Sequence, residues 1–307
     1  LDDPGNDFTT IDLQSLNTAG TTTDNGTITY KDATGFDIAL IKTTNNATFT
    51  AVNGNITDSG ITSVGGTTSL TTSASDATIV TDLLASTGAV DVHTTGTLAN
   101  ATIVNASALD IATSGVGGNF SATATLGDLI DSGTATVGGT TSLTTSQATK
   151  TITANQLAST GAVDVHTNGA GSDATIVNAS ALDLAASTVG RNLSATATLG
   201  DLTDSGTITV GGTTSLTTSA ANATILANQL ASTGAVDVHT NGATADATIV
   251  NATALDIATS AVGRNFSATA TLGNLTDSGT ATVGGTTSLT TSQSTKTIVA
   301  DLLASTG

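Results

Sequence analysis

VGGTTSL, spelled out as Val64-Gly65-Gly66-Thr67-Thr68-Ser69-Leu70, returns unaltered at Val137, Val210 and Val283, which fixes a 73-residue period. A period of that length marks a repeat architecture, because one short unit cannot bury its own apolar face whereas stacked units can. The period extends well beyond this string. VDVH recurs at Val90, Val163 and Val236, and DSG at Asp58, Asp131, Asp204 and Asp277. The divergent start obeys it too: Asp37-Ile38-Ala39 stands one period before Asp110-Ile111-Ala112, and Asn46-Ala47-Thr48 one period before Asn119-Phe120-Ser121. The chain reads as one array, with a divergent copy over 1–63, copies over 64–136, 137–209 and 210–282, and a partial copy over 283–307.

Each block divides again. Asp131 to Ala154, Asn155 to Ala179 and Ser180 to Thr203 are similar stretches of 24, 25 and 24 residues. Within them, runs rich in Thr, Val, Ile and Leu alternate with period two, as in Thr141-Leu143-Thr145, and Gly, Asn, Asp or Ser separate the runs. The expectation is an all-β fold, a parallel β-helix (β-solenoid) with about 24 residues per coil and three coils per 73-residue repeat, forming one continuous rod. A string of small β-sandwiches is the competing architecture, but such domains run nearer 100 residues and lean on large aromatics. Aromatics make up only 2% of this chain, with no Trp and one Tyr.

Alternation points Leu70, Val92, Phe120, Leu143, Val165, Leu193, Leu216, Val238, Phe266 and Leu289 inward, with Ala and Thr filling narrower places. The paired glycines Gly65-Gly66, Gly138-Gly139, Gly211-Gly212 and Gly284-Gly285 are read as corners that need positive φ. A phosphate-binding loop is a poor fit to the same letters, since no Lys follows them and no helix pattern opens after them.

There is no Cys and no Met, the single Pro is Pro4, and Ser with Thr supply 99 of 307 residues. Every acid is Asp, a residue suited to turns because its side chain bonds nearby backbone amides. The net charge of −18, from 6 basic and 24 acidic residues, argues against nucleic acid, whose phosphates call for clustered Lys and Arg. No run approaches the apolar length of a membrane span, and no basic-then-apolar leader opens the sequence. Leu303–Gly307 repeats Leu230–Gly234, after which earlier copies continue with AVDVH. Neither end offers a polar cap. The sequence therefore reads as an excerpt of a longer chain, or as a subunit whose partners are neighbouring copies or flanking repeats stacked end to end.

Three stretches, NGNITDSG at Asn53–Gly60, DSGTATVGGTTSLTTS at Asp131–Ser146 and STVGRNLSATATLGDLTDSG at Ser187–Gly206, resemble large bacterial surface proteins, above all filamentous-haemagglutinin-like adhesins and related giant repeat exoproteins. The resemblance is one of repeat style and covers nearly the whole chain. It implies a right-handed parallel β-helix, secretion from a Gram-negative-type cell, and a stalk or fibre role in adhesion, aggregation or biofilm. Contact with a host or matrix surface is then expected from regions outside this segment.

Candidate chemistry is sparse. His93, His166 and His239 each follow an Asp-Val pair (Asp91, Asp164 and Asp237), a combination that can bind zinc. Successive histidines three coils apart would lie about 14 Å from one another, too far to share one ion. Arg191 and Arg264 are the only arginines, at equivalent positions, and an active site that occurs once would break the repeat. A β-helix polysaccharide-active enzyme is thus the minor alternative. Asp58, Asp82, Asp131, Asp204, Asp277 and Asp301 align in one expected column and raise the question of calcium, but Ser107, Asn155, Ser180, Asn228 and Thr253 interrupt it. Regular Thr-x-Thr ranks of the ice-binding kind fail at every second or third coil. Twelve of the twenty Asn residues stand in N-x-S/T sequons, including Asn46, Asn119, Asn192 and Asn265 in one set and Asn105, Asn178 and Asn251 in another. The resulting expectation is a structural repeat region at the cell surface or secreted, acting as a stiff stalk or fibre. It carries no catalytic, metal or cofactor residue. The alternative is a self-assembling extracellular filament or sheath subunit.

Overall fold

Along Thr68–Ser75 the residues Thr68, Leu70 and Thr72 are buried while Ser69 and Thr71 face outward, and the same alternation runs through Ala101–Asn105, Phe120–Ala124 and Leu193–Ala197. Period-two burial is what a strand with one wet face requires. The computed structural model describes residues 1–3 and 5–307; Pro4 lies outside the described residues. Strands joined by turns and bends account for the regular structure, with no helix among the described residues, hence none long and apolar enough to cross a membrane. Among the described residues strand pairing is parallel, apart from one isolated bridge, Leu16 to Thr23. The fold is a parallel β-solenoid.

The chain forms two compact units, Leu1–Gly161 and Ala162–Gly307. In the first, the chain passes to and fro between two sheets. One stacks Thr10–Gln14, Phe36–Thr43, the split rung Ile56–Asp58 with Thr62–Val64, then Ile79–Ser86, Ala101–Asn105, Phe120–Ala124 and Thr141–Thr145. The other stacks Ile28–Asp32, Ala47–Ala51, Thr68–Ser75, Val90–Thr95, the split rungs Leu109–Ile111 with Ser114–Val116 and Leu129–Asp131 with Ala135–Val137, and finally Ile152–Ser159. The second unit repeats the scheme. Its first sheet runs from Val163–His166 to Thr287–Thr291, and its second from Ala174–Asn178 to Leu303–Ser305.

Register corrects the expected coil. Ala101 pairs with Phe120, a short step along the chain, and Ile56 with Ile79, a longer one. Four such steps carry the sheet from Ile56 through Ile79, Ala101 and Phe120 to Thr141, so the mean coil is about twenty-one residues long and not twenty-four. A 73-residue repeat is therefore three and a half coils, not three. The consequence is direct: Thr68–Ser75 and its copy Thr141–Thr145 lie in different sheets of the first unit, and so do Thr214–Ala221 and Thr287–Thr291 in the second. The physical reason is that the repeat holds seven rungs, an odd number, while each coil uses two.

Nine of the ten residues expected inside are buried. Leu289 is only half-buried, because its strand Thr287–Thr291 is the last of its sheet and pairs on one side alone. The core is thin and aliphatic. Hydroxyls cross it in pairs, Thr68 Oγ1 donating to Ser86 Oγ at 3.0 Å and Thr141 Oγ1 to Ser159 Oγ at 2.9 Å, so that these inward hydroxyls satisfy each other.

The glycine pairs serve a different purpose from the one expected. None of them has positive φ. What they supply is room: a Cβ on Gly139 would sit 2.2 Å from Asn119 Oδ1 of the coil before, and one on Gly138 would sit 2.3 Å from the Gly117 carbonyl oxygen. Among residues other than glycine, left-handed backbone occurs instead at Asp76, Thr149 and Asn222, one period apart, with φ of 63°, 67° and 64°. Asp and Asn tolerate this region and β-branched Thr does not. Thr149→Asn should therefore raise stability by about 1 kcal/mol, read as a higher midpoint in urea with unchanged slope; no gain would mean that the left-handed turn carries no strain.

Candidate functional site

Where a strand splits around the DSG triplet, the next coil presents backbone amides that have no ladder partner. The aspartate carboxylate takes them. Asp58 Oδ1 accepts the Asp82 N–H at 2.8 Å and Asp58 Oδ2 the Leu83 N–H at 3.0 Å. Asp131 does the same for Asn155 and Gln156, Asp204 for Asn228 and Gln229, and Asp277 for Asp301 and Leu302. The four aspartates do not form a single column, because Asp58 and Asp131 belong to different sheets of the first unit, as Asp204 and Asp277 do in the second. Each is a bidentate brace between adjacent coils. That role was legible only in part: the spacing to Asp82 and Asn155 is visible in sequence, but the orphan amides appear only once register is known.

Partial burial pushes the Asp58 carboxyl up to about 6, outweighing the two amides that pull it down, and the neighbouring Asp82 adds to the rise. Asp131 is raised as well, again by burial first. The sign follows from proton counting. Between the ordinary value of 3.8 and about 6 the folded state holds more of the Asp58 proton than the unfolded state, so its contribution to stability falls as pH rises through that window. The melting temperature should therefore drop between about pH 4 and pH 6, and Asp58→Asn should shrink the drop; an equal drop in the variant would refute this origin.

Asn105 and Asn251 are wholly buried and brace the coil wall in another way. Asn251 Oδ1 accepts the Ser232 N–H at 2.8 Å while its Nδ2 donates to the Ser232 carbonyl at 2.9 Å; Asn105 makes the same pair with Ser86. Asn178 is equally buried and donates to Ser180 Oγ and to the Ala181 carbonyl. These three sequons therefore face the interior and offer no amide for glycosylation in the folded chain. The other set lies at the surface. Asn46 and Asn119 are exposed and Asn192 and Asn265 half-exposed, each with Oδ1 accepting a backbone amide of the next coil, as from Thr67 to Asn46 and from Thr140 to Asn119.

The arginines are held in ion pairs. Arg191 Nε donates to Asp173 Oδ1 at 2.6 Å and its Nη2 to Asp173 Oδ2, and Arg264 grips Asp246 in the same two-armed way. The guanidinium holds the Asp246 carboxyl down at about 2 and lowers that of Asp173. One period before Arg191 stands Gly118, and there Asn100 replaces the acid, taking the Asn119 N–H just as Asp173 takes that of Asn192. Acid and base change together, as a surface pair would.

Nor do the histidines form a column. His166 and His239 stand in opposite sheets of the second unit, which the odd rung count requires, and His93 belongs to the first unit. His166 Nε2 lies 3.4 Å from Asp164 Oδ2, both partly exposed. Among the described residues no three His or Asp side chains converge where a metal ion could sit.

One polar cluster escaped sequence reasoning. Asp32, with no exposed surface, accepts the Phe8 N–H at 2.9 Å, the Thr34 N–H at 2.9 Å, the Thr34 hydroxyl at 3.0 Å and the Tyr30 hydroxyl. Burial alone would raise its pKa, but these donors together hold it below the ordinary value. The Tyr30 ring meets Phe36 edge-on with centroids 4.9 Å apart, and its hydroxyl pKa is raised by burial and by the carboxylate. Aromatics concentrated in the first fifty residues were the available signal.

The DSG aspartates and the asparagines of both sequon sets thus bond backbone or turn groups of the coil wall, while Asp173 and Asp246 pair with arginine. Comparison with curated proteins and with solved structures gives no match. The family described as "Repeats of unknown function (DUF5649)" matches residues 98–166, 171–243 and 244–299, successive stretches that begin one 73-residue period apart. Since these matches cover more than half of the 307 residues, the chain belongs to that repeat family.

Proposed function

We propose that the chain is a structural repeat segment of a secreted or cell-surface bacterial protein, wound as a right-handed solenoid and serving as a stiff stalk or fibre in adhesion, aggregation or biofilm. The observation that carries this reading is the use of the repeat's polar motifs. DSG and VGG return in each copy and N-A-S/T at Asn105, Asn178 and Asn251; the DSG aspartates, Asn105 and Asn251 bond the backbone of a neighbouring coil, and the VGG glycines leave that coil room. A catalytic site would have to depart from the repeat at one place. Stability built from identical nearest-neighbour contacts suits an element whose task is length and stiffness. The all-Asp, strongly acidic surface keeps such an element soluble outside the cell.

Antibody raised against the folded repeat should label intact, unpermeabilised cells of the source organism, and brief protease treatment of those cells should remove the label. Labelling only after lysis would overturn the reading. A second reading is a self-assembling filament or sheath subunit, since coils that stack by parallel backbone pairing offer the same pairing to coils of another copy. Filaments of the purified chain that lengthen with concentration, seen by electron microscopy, would favour it.

A further inference from the structure

Val90–Thr95, Val163–His166 and Val236–Asn241 each carry an aspartate and, two residues on, a histidine, so both side chains stand half-buried on the outward face of one strand. In the middle copy His166 Nε2 lies 3.4 Å from Asp164 Oδ2. That is long for a charge-assisted hydrogen bond, which closes to about 2.7–2.9 Å. It matches the separation of two ligands on one tetrahedral zinc ion, about 3.3 Å when each bond is about 2.0–2.1 Å. In the other two copies the carboxylate wants a partner: Asp91 Oδ1 and Asp237 Oδ1 are buried and accept no hydrogen bond. Such orphans are uncommon and ask for an explanation, an ion among them. Room for an ion is greatest beside His93, because the residue paired with it one coil on is Gly115, where the later copies have Thr188 and Ala261. A Cβ on Gly115 would stand 3.7 Å from His93 Nδ1, and the groove left open there is lined by Gly117, Thr136 and Gly138.

We propose that each Asp-x-His pair, Asp91 with His93, Asp164 with His166 and Asp237 with His239, binds one zinc-like divalent transition-metal ion through its carboxylate and its imidazole. Calcium and magnesium take oxygen ligands, whereas imidazole suits zinc. Solvent fills the remaining positions of the tetrahedron, since no third His or Asp side chain converges on any pair among the described residues. The pairs act singly, so the distance that keeps the histidines from sharing one ion is no obstacle. In the first and third copies the carboxylate turns toward the imidazole, and the orphaned oxygen gains the ion as its partner. The net charge of −18 draws cations of every kind, so uptake at the pairs has to be separated from diffuse attraction.

The experiment is calorimetric titration of the full chain with zinc chloride in excess magnesium, which displaces ions held only by diffuse charge. One zinc ion should bind per pair, three in all. His166→Ala and Asp164→Asn should each bind one fewer, and the variant with His93, His166 and His239 all changed to alanine should bind none. The proposal fails if magnesium abolishes uptake, if the triple variant takes up as much zinc as the parent, or if His166→Ala or Asp164→Asn still binds three. The six side chains are partly exposed, so the variants should keep β-type circular dichroism. Should one of them unfold, the parent chain decides: zinc, and not magnesium, should shield the three histidines from diethyl pyrocarbonate, whereas equal modification with and without zinc would overturn the sites.

Discussion

Leu216→Asp is expected to destabilise the second unit by about 5 kcal/mol or more. Leu216 has no exposed surface, and its strand pairs it with buried Ala195 on one side and buried Val238 on the other. Two costs combine. The leucine contacts are lost, and an ionised carboxylate enters a core with no cation to meet it, so the group must either stay protonated far above its ordinary pKa or draw water inward. A loss of this size rivals the whole stability of an ordinary domain. In a solenoid, however, each coil depends chiefly on its neighbours, so the damage should be local. Amide exchange should therefore collapse over Leu193–Ala197, Thr214–Ala221 and Val236–Asn241 while strands of the first unit, such as Phe120–Ala124, stay protected. Uniform loss of protection across the chain would contradict nearest-neighbour stability, and a variant that melts like the parent would contradict the burial of this side chain.

Asn251→Ala should cost about 2–4 kcal/mol, although alanine is compatible with the strand and removes little volume. The loss is one of satisfaction. Asn251 takes the Ser232 N–H and feeds the Ser232 carbonyl, and both backbone groups lie in a wall where water cannot replace it. Asn265→Ala supplies the control. Asn265 also accepts a backbone amide, that of Thr286, but it is half-exposed, so water can take over and the cost should stay within about 1 kcal/mol. Equal losses in urea denaturation would show that burial is not what separates the two asparagines. The pair also bears on modification: a sugar on Asn251 could be attached only to an unfolded chain and would then block refolding, whereas one on Asn265 would not.

Much of this fold was legible in residues. The periodic identity of VGGTTSL, the alternation in Thr141-Leu143-Thr145 and the scarcity of aromatics led to parallel strands stacked in coils, and Leu70, Val92, Phe120 and Leu216 are inside as alternation required. The coil length was not legible. Dividing the block at Asp131, Asn155 and Ser180 follows likeness between stretches, but pairing follows register, and the split rungs at Leu129–Asp131 and Ala135–Val137 show that stretches of similar letters need not be whole coils. The candidate site was less legible still. Two sequon sets with the same letters differ completely in exposure, and the DSG aspartates could be read as calcium ligands until the amides of Asp82 and Leu83 were placed against Asp58.

By itself the sequence determined that the chain is a repeat of β-strands with a thin aliphatic core, because a period and an alternation are properties of order along the chain. Only the tertiary structure decided that successive copies of one motif alternate between two sheets, that Asn251 is buried while Asn265 is not, and that the DSG aspartates take backbone amides of the next coil. Those outcomes turn on which residue lies one coil away, and an odd number of rungs per repeat makes that neighbour invisible to any comparison of one copy with the next.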